Sequence, residues 1–317
     1  MGAPAQTRGA ADGLPWRVLA LFGPTGIGKT AVAIAVAERL RDRGATPVAV
    51  SADALQVYAG LGVLTGAADA GERELLPHRM VGVLPVDATF SAGAYAQRAH
   101  AEIDALLAEG AVPIVVGGTG LYLRAALADL DFKPPVPAGV RAGLNAELAR
   151  DGAPSLHARL ARARPQVAAR IEPGDGQRVV RALELVAVNE SEDAGAPGAD
   201  RRDPSQLWTA EMRHPTRLIG LTMQRDALYS RIDQRVEAMV AAGAAEEVRS
   251  ALAAGASLTA RKAVGFDELQ HGDVAAMQLR TRRLAKRQLT WLRKLTHAGI
   301  IDVTGREAAD VAAEILP

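Results

Sequence analysis

The sequence predicts an α/β protein: a parallel sheet with helices on both faces, interrupted by an all-helical insertion. Short apolar runs alternate with helix-forming stretches over most of the 317 residues, which is typical of strands joined by crossover helices. A glycine-rich loop follows the first apolar run, and helical periodicity without strand character fills residues 133–205. The predicted organisation is a flexible tail (1–16), a core (17–132 and 206–317) and an inserted helical subdomain (133–205).

Apolar runs bounded by turn residues predict the strands. Gly44 is predicted to end the first helix, and Ser91 to cap a helix that continues to Leu107. The polar stretch 189–204 is rich in Gly, Asp and Pro and is predicted to be mobile. The predicted strands are 18–22, 46–52, 80–84, 112–116, 217–223 and 300–303, and the other helices are 31–40, 140–150, 155–162, 177–188, 226–242, a following helix to 254, 279–296 and a last helix after 303.

The amino-acid composition excludes several kinds of site and segment. The 37 basic and 36 acidic residues give a net charge of +1, so a nucleic-acid surface must be local. With no cysteine, disulfides, thiolate zinc sites and a cysteine nucleophile are excluded. The first 15 residues have no apolar core of a signal peptide, and no run approaches the ~20 apolar residues that span a bilayer. We therefore expect a cytoplasmic protein without a membrane segment.

The loop after the first strand has the pattern G-x-x-x-x-G-K-T, which is typical of a P-loop NTPase-like fold. Its glycines allow backbone amides to face a phosphate, and the following helix adds its positive end. Lys29 is expected to bind a terminal phosphate, and the Thr30 hydroxyl to ligate Mg²⁺. A di- or triphosphate ligand is predicted, and its identity stays open. The loop consists of Gly23, Pro24, Thr25, Gly26, Ile27, Gly28, Lys29 and Thr30.

Two polar residues follow the second and fourth predicted strands, at the edge of the sheet where ligands bind. Asp53 is interpreted either as a general base or as a turn aspartate. Thr119 either offers its hydroxyl to a phosphate or belongs to an ordinary turn. The strand before Thr119 ends in Gly-Gly-Thr and lacks the aspartate that orients Mg²⁺ in most P-loop ATPases. This difference disfavours a motor or switch.

Arginines also occur at helical spacing. Arg231 and Arg235 lie one turn apart and could grip a diphosphate, or they could pair with Asp233 or Glu237. In the helix near the C-terminus, Leu284, Trp291, Leu292 and Leu295 are predicted to form the apolar side, and the basic side either contacts a nucleic acid or is merely solvated. That basic side contains Arg283, Lys286, Arg287, Arg293 and Lys294, and two further basic clusters contain Gln177, Arg178 and Arg181, and Arg261 and Lys262.

Together these segments resemble the tRNA dimethylallyltransferases, over about residues 18–291. The most specific are Gly-Pro-Thr at the start of the loop, Asp-x-x-Gln-Val-Tyr from Asp53, and Thr-Arg-Arg-Leu-Ala-Lys-Arg-Gln-Leu-Thr-Trp-Leu from Thr281. The other matching segments are Pro77-His78, Val116–Tyr122, Arg178–Glu184, Arg231–Val236 with Met239, and Val264–Phe266.

The resemblance has three departures. Ala54 stands where the family usually has Ser, residues 62–67 lose an acid and a lysine, and residues 189–191 replace Thr-Gly-Lys. These changes bear on substrate affinity more than on reaction type. An alternative from another class is a small-molecule or nucleotide kinase, and a second is a P-loop protein that binds RNA without catalysis.

The resemblance implies a reaction in which the P-loop holds a diphosphate leaving group. The dimethylallyl group of dimethylallyl diphosphate passes to N6 of the adenosine next to the anticodon of tRNA, with Mg²⁺ as cofactor and a monomeric enzyme. Asp53, Thr119 and Arg235 are the implied catalytic residues. The implied contacts with the anticodon stem-loop are Asp53, Ala54, Leu55, Gln56, Thr119, Arg141, Gln177, Arg178, Arg181, Lys262, Lys286, Arg287 and Arg293.

Overall fold

The computed structural model describes residues 14–132, 136–191 and 207–317. They belong to two compact units, a core unit (14–131 and 207–317) and a helical unit (132 and 136–191). The core unit contains a six-stranded parallel sheet with the order β3-β2-β4-β1-β5-β6. Its strands are β1 (Val18–Phe22), β2 (Pro47–Ser51), β3 (His78–Arg79), β4 (Val112–Gly117), β5 (Thr216–Thr222) and β6 (Gly299–Asp302).

Helices connect the strands, as the alternating pattern predicts. In the chain order of the described residues they are α1 (Lys29–Asp42), α2 (Gly62–Thr65), α3 (Ala70–Leu75), α4 (Ala92–Ala108), α5 (Gly120–Leu127), α6 (Ala138–Ala163), α7 (Pro165–Ala168), α8 (Gly176–Ser191), α9 (Arg225–Ala241), α10 (Ala244–Ala253), α11 (Phe266–Gln270), α12 (Val274–Leu292) and α13 (Ala308–Ile315). The predicted cap is confirmed, because the Ser91 hydroxyl accepts a hydrogen bond from the Ala94 amide at 3.1 Å.

The central strand β1 is buried along its whole length, as expected for a parallel sheet that is covered on both faces. It pairs with β4 on one side and β5 on the other, with Leu19 aligned between Ile114 and Arg217. Because all six strands run in the same direction, the residues that follow β1, β2 and β4 meet at one edge. The P-loop, Asp53 and Thr119 therefore lie at the same end of the sheet.

Two predictions about the core unit are wrong. The run 80–84 does not form a strand, because Met80 and Gly82 both adopt φ of +63°, which interrupts an extended backbone. The edge strand β3 lies just before it, and the later part of the run makes a single bridge, between Tyr58 and Leu84. The predicted tail is also too long, because Trp16 is only 5% exposed and packs in the core.

The helical unit has its own apolar core, formed mainly by α6 and α8. Leu144, Leu160, Val179 and Leu183 are all buried there. The two helices predicted between 140 and 162 correspond to the two parts of α6, which is interrupted at Gly152, where φ is +78°. Of the stretch predicted to be mobile, 189–191 belong to the end of α8 and 192–204 lie outside the described residues.

Helix α12 begins earlier than expected, and the Asp273 carboxylate caps it by accepting a hydrogen bond from the Ala276 amide at 2.8 Å. Its predicted apolar side is rotated, since Leu284 and Trp291 are only partly buried. The buried positions are Met277, Thr281, Ala285, Gln288 and Leu292. Within the described chain, none of the helices has the length and hydrophobicity of a transmembrane helix.

Candidate functional site

A cleft of about 1060 Å³ opens at the carboxyl edge of the sheet. The P-loop, the segments that follow β2 and β4, and helices α9 and α12 form its walls. Most of the predicted site residues of the core unit line it. They are Thr25, Gly26, Gly28, Lys29, Thr30, Asp53, Leu55, Gln56, Thr119, Arg235, Lys262 and Arg287.

The P-loop turns through two glycines with positive φ, Gly26 (+81°) and Gly28 (+99°). A side chain at Gly26 would also lie 2.9 Å from Ile232 on α9, so the turn requires glycine. The amides in the first turn of α1 have no acceptor within the helix and are available to an anion. Ile27 differs, because its side chain is buried and its amide donates to the Pro24 carbonyl.

Lys29 is partly buried beneath this loop. Its Nζ donates to the carbonyls of Gly23 at 3.0 Å and Pro24 at 2.9 Å. Burial and the nearby Arg235 lower the pKa of Lys29 from 10.5 to about 7, and Asp53 partly opposes this shift. Among the residues that the structure describes, the hydrogen-bond acceptors of this amine are neutral carbonyls, and a phosphate would supply a negative charge.

The two arginines of α9 also donate to backbone carbonyls. Arg231 Nε lies 3.1 Å from the Gly26 oxygen, and Arg235 Nη2 lies 3.1 Å from the Gly66 oxygen. The alternative in which they pair with Asp233 or Glu237 is wrong for the described chain. Asp233 is bonded to Arg282 and Glu237 to Gln278. Burial lowers the pKa of Arg235.

The structure confirms Asp53 as a turn aspartate, and its role as a general base stays a prediction. One carboxylate oxygen, Oδ1, accepts hydrogen bonds from the amides of Leu55 at 2.9 Å and Gln56 at 3.4 Å, which is an Asx turn. The other, Oδ2, accepts from the Thr119 hydroxyl at 3.3 Å. The turn fixes the carboxylate, and its second oxygen is left at the cleft beside Thr119.

Sequence reasoning missed Gln288, a buried residue on α12 that is 6% exposed. Its Oε1 accepts a hydrogen bond from the Thr25 amide at 2.8 Å and so anchors the P-loop. A side chain at Gly118 would lie 2.4 Å from Gln288 Nε2, which explains why glycine follows β4 at this point. The sequence contains one clue, a glutamine among the cations of this helix, but charge alone does not indicate its role.

The cations of α12 differ in their partners. Arg280 is paired with Glu268 and Arg282 with Asp233. Lys286, Arg287 and Arg293 are exposed and make no ion pair among the described residues. Arg287 lines the cleft, whereas the other two line a separate cavity of about 300 Å³ with Arg225 and Tyr229. The predicted basic side therefore covers two distinct surfaces.

The arginines of the helical unit are arranged differently. The Glu184 side chain is 1% exposed, and its carboxylate accepts hydrogen bonds from Arg141 and from Arg181. Burial alone would raise the pKa of Glu184, but the hydrogen bonds and charges of these two arginines lower it below its ordinary value. Gln177 and Arg178 are exposed. The RNA contacts of all four stay predictions, and two of them already hold a buried carboxylate.

The cleft fits a magnesium ion only if it arrives with phosphates. Among the described residues, no group of three or more His, Asp or Glu side chains could hold a metal. The Thr30 hydroxyl lines the cleft at the start of α1. Mg²⁺ is commonly held by one or two protein oxygens together with substrate phosphates and waters. Thr30 suits such a site.

Known proteins are similar to this chain over most of its length. The IPP transferase family model matches residues 56–295. Proteins called tRNA dimethylallyltransferase are 42% identical in Anaeromyxobacter dehalogenans, over 88% of this chain and 92% of that protein, and 38% identical in Symbiobacterium thermophilum, over 94% and 92%.

Solved structures agree. The full-length tRNA isopentenylpyrophosphate transferase of Bacillus halodurans is 28% identical with a TM-score of 0.65, over 94% of both chains. A eukaryotic dimethylallyltransferase, described as acting on tRNA, shares the fold with a TM-score of 0.66 at 21% identity, over 90% of this chain and 74% of that chain. The sheet, the P-loop and these matches agree, and the chain belongs to the IPP transferase family.

Proposed function

We propose that this chain transfers the dimethylallyl group of dimethylallyl diphosphate to N6 of the adenosine next to the anticodon of tRNA, releasing diphosphate. One observation carries the proposal: a carboxylate and a set of cations line the same cleft. Asp53 and Thr119 lie together after β2 and β4, and Lys29 and Arg235 lie by the P-loop. The names of the relatives and their similarity over most of the chain support tRNA as the acceptor.

In the reaction, N6 of adenine forms a bond to the primary carbon of the dimethylallyl group. The bond from that carbon to oxygen breaks, and its electron pair leaves with the diphosphate. Lys29, Arg235 and the amides of the first turn of α1 stabilise the negative charge that develops on the leaving group. When bound through Thr30 and the phosphates, Mg²⁺ supplies further charge neutralisation.

Asp53 is the proposed base. An exocyclic amine of adenine is a poor nucleophile, so removal of its proton as the new bond forms assists the attack, typically by about 10²–10⁴-fold. The two amides bonded to Oδ1 hold the carboxylate in place, and Oδ2 receives the proton. Thr119 donates to the same oxygen and fixes its direction.

The missing ATPase aspartate agrees with this chemistry. The strand β4 runs into Gly117, Gly118 and Thr119, which carry no carboxylate. A P-loop that hydrolyses ATP needs a group to orient Mg²⁺ and water. A loop that holds a leaving diphosphate needs only cations and amides, and this cleft provides both.

The target base must leave its stack to reach the cleft, and loop bases of RNA are extruded readily. The segment Asp53–Gln56 would contact the extruded adenine. In the core unit, Lys262, Lys286, Arg287 and Arg293 would contact the RNA strand. In the helical unit, Gln177 and Arg178 are the better candidates. Arg141 and Arg181 hold the buried carboxylate of Glu184, whereas Arg178 is exposed and pairs only with the partly exposed Asp175 among the described residues.

Mass spectrometry of nucleosides tests the proposal. The protein is incubated with tRNA, Mg²⁺ and dimethylallyl diphosphate, and the tRNA is then digested to nucleosides. We expect one adenosine to gain an isopentenyl group. A parallel sample receives ATP labelled in the γ-phosphate, which a kinase would transfer. Release of the label, or tRNA binding with no gain of mass, would contradict the proposal.

A further inference from the structure

The segment 62–67 is one of the three places where the chain departs from the pattern of its family, and it forms one wall of the cleft. It folds into the short helix α2, followed by Gly66 with φ of +57°. The helix has no side-chain cap of its own. Something else must therefore hold this wall in place.

The Gly66 carbonyl joins two side chains of the cleft. It accepts a hydrogen bond from Arg235 Nη2 at 3.1 Å and another from Gln56 Nε2 at 3.2 Å. Gln56 is fixed in turn, because its Oε1 accepts from the Ser51 hydroxyl at 2.8 Å. One backbone oxygen thus sets the direction of the diphosphate-side arginine and of a residue on the adenine side.

The fit between Gly66 and Arg235 is close. A side chain at Gly66 would place its first carbon 1.8 Å from Arg235 Nη2 and 2.8 Å from the terminal methyl of Met239. Arg235 therefore lies against the Gly66 backbone. Any movement of α2 moves the surface on which the guanidinium rests.

Glu247 of α10 lines the cleft beside α2 and holds this short helix in place. Its Oε1 accepts a hydrogen bond from the Val63 amide at 3.0 Å, and its Oε2 accepts from the Leu64 amide at 2.8 Å. These are amides of the first turn, which lack acceptors within the helix. The carboxylate supplies the cap that the sequence of α2 does not contain.

We infer that Glu247 is a positioning residue for the diphosphate side of the cleft. Its carboxylate fixes α2, α2 fixes the Gly66 carbonyl, and this carbonyl aims Arg235 at the ligand. The inference rests on the proposed function, because Arg235 is taken to bind the diphosphate. Although Glu247 lines the cleft, both of its carboxylate oxygens are bonded to α2, and its proposed role is exerted through Arg235.

The neighbouring residue provides a matched control. Glu246 is on the same helix, is exposed, and pairs with Arg249. The Glu246→Ala variant removes a carboxylate of equal charge without touching α2. The Glu247→Gln variant keeps one oxygen that can accept an amide hydrogen bond, so a partial recovery of function is expected.

The test is a double-mutant cycle on binding of inorganic diphosphate with Mg²⁺, measured by calorimetry. Glu247→Ala is expected to weaken binding by about tenfold or more, since a misplacement of about 1 Å can cost on the order of 10²-fold. In an Arg235→Gln background the same change should have less than about a twofold effect, because its target is gone. Glu246→Ala should leave the diphosphate affinity unchanged in both backgrounds. The affinity of Glu247→Gln should lie between those of wild type and Glu247→Ala.

Equal losses in both backgrounds, or no loss in either, would overturn the inference. If Glu247→Ala does not fold, the cycle is run with Glu247→Gln, for which a smaller loss with the same dependence on Arg235 is expected. The cycle measures binding of diphosphate in the absence of tRNA. Its outcome therefore does not depend on whether the protein transfers a dimethylallyl group, and the failure of one proposal can be distinguished from the failure of the other.

Discussion

Three cations that line the cleft and two cations of the helical unit differ in what they are bonded to. In the cleft, Lys29, Arg231 and Arg235 donate to neutral carbonyls. In the helical unit, Arg141 and Arg181 donate to the carboxylate of Glu184. Carbonyl partners orient a cation and leave its charge uncompensated, whereas a carboxylate cancels it. The first arrangement suits the anionic ligand that we propose, and the second suits a role in stability.

The largest expected effect is that of Asp53→Asn, which tests whether the cleft has separate base and phosphate sides. The rate of the chemical step should fall by about 10²–10⁴-fold, because an amide cannot accept the proton from N6. The affinity for diphosphate should be unchanged, because Asp53 is assigned to the adenine side. Single-turnover transfer and calorimetry measure the two quantities, and a normal transfer rate would remove Asp53 from the role of base.

Replacement of Lys29 by Ala tests the phosphate side. The loss of its charge should weaken diphosphate binding by on the order of 10²–10³-fold, comparable to the loss of a preorganised donor at a developing charge. Stability should fall by only about 1 kcal/mol, because the two carbonyls that lose a partner lie next to the cleft. Calorimetry and urea unfolding check this, and an unaltered affinity would argue against the P-loop as the diphosphate site.

In the helical unit, Glu184→Gln tests the opposite arrangement. We expect a loss of stability of about 3 kcal/mol, the low end for a broken buried pair, because the Arg141 side chain is 55% exposed. Diphosphate binding should not change. Urea unfolding of the full chain gives the first value, and a variant as stable as wild type would show that the carboxylate is not structural.

The pairing of Glu184 with Arg141 and Arg181 also predicts that the stability of the protein depends on pH. Because the pKa of Glu184 is lowered in the folded state, its stabilising contribution is complete above the ordinary value of 4.5 and is lost as pH falls through the folded-state pKa. Acid unfolding should therefore be less steep in Glu184→Gln than in wild type. Identical acid unfolding curves for the two proteins would contradict the assignment.

The smallest expected effect is on the salt dependence of tRNA binding. It concerns α12 and its C-terminal end, where the paired cations are followed by unpaired ones. Neutralising Lys286, Arg287 and Arg293 together should reduce the log–log salt slope of tRNA binding by about 2, at about 0.7 for each single-stranded phosphate contact. Stability should change by within about 0.5 kcal/mol per site. Arg282→Gln is the matched control, because Arg282 is paired with Asp233 and should leave the slope unaltered. An equal slope in the triple variant and wild type would mean a merely solvated face.

How much of this could be predicted from the sequence depended on whether the information was local. The P-loop, Asp53 and Thr119 follow three buried strands, and the rule that parallel strands end at one edge was enough to bring them together. The run 80–84 failed because its apolar composition concealed the positive φ of Met80, which sequence patterns do not reveal.

Hydrogen-bond and ion-pair partners that are distant in the sequence could not be predicted from it. The pairing of Glu184 with Arg141 joins positions 43 residues apart, and the bond from Gln288 to the P-loop spans 263 residues. The sequence does not show whether a basic residue faces a carboxylate in the folded protein. The pattern of charges therefore predicted where cations lie and left open which of them are available to a ligand.

The central claim is that the P-loop holds diphosphate as a leaving group, so that the bond from carbon to oxygen breaks. Dimethylallyl diphosphate labelled with a heavy oxygen isotope between carbon and phosphorus tests this directly. After reaction with tRNA, we expect the label in the released diphosphate and an isopentenyl group, without phosphorus, on the tRNA. Label retained in dimethylallyl alcohol, or phosphorus transferred to the RNA, would contradict it.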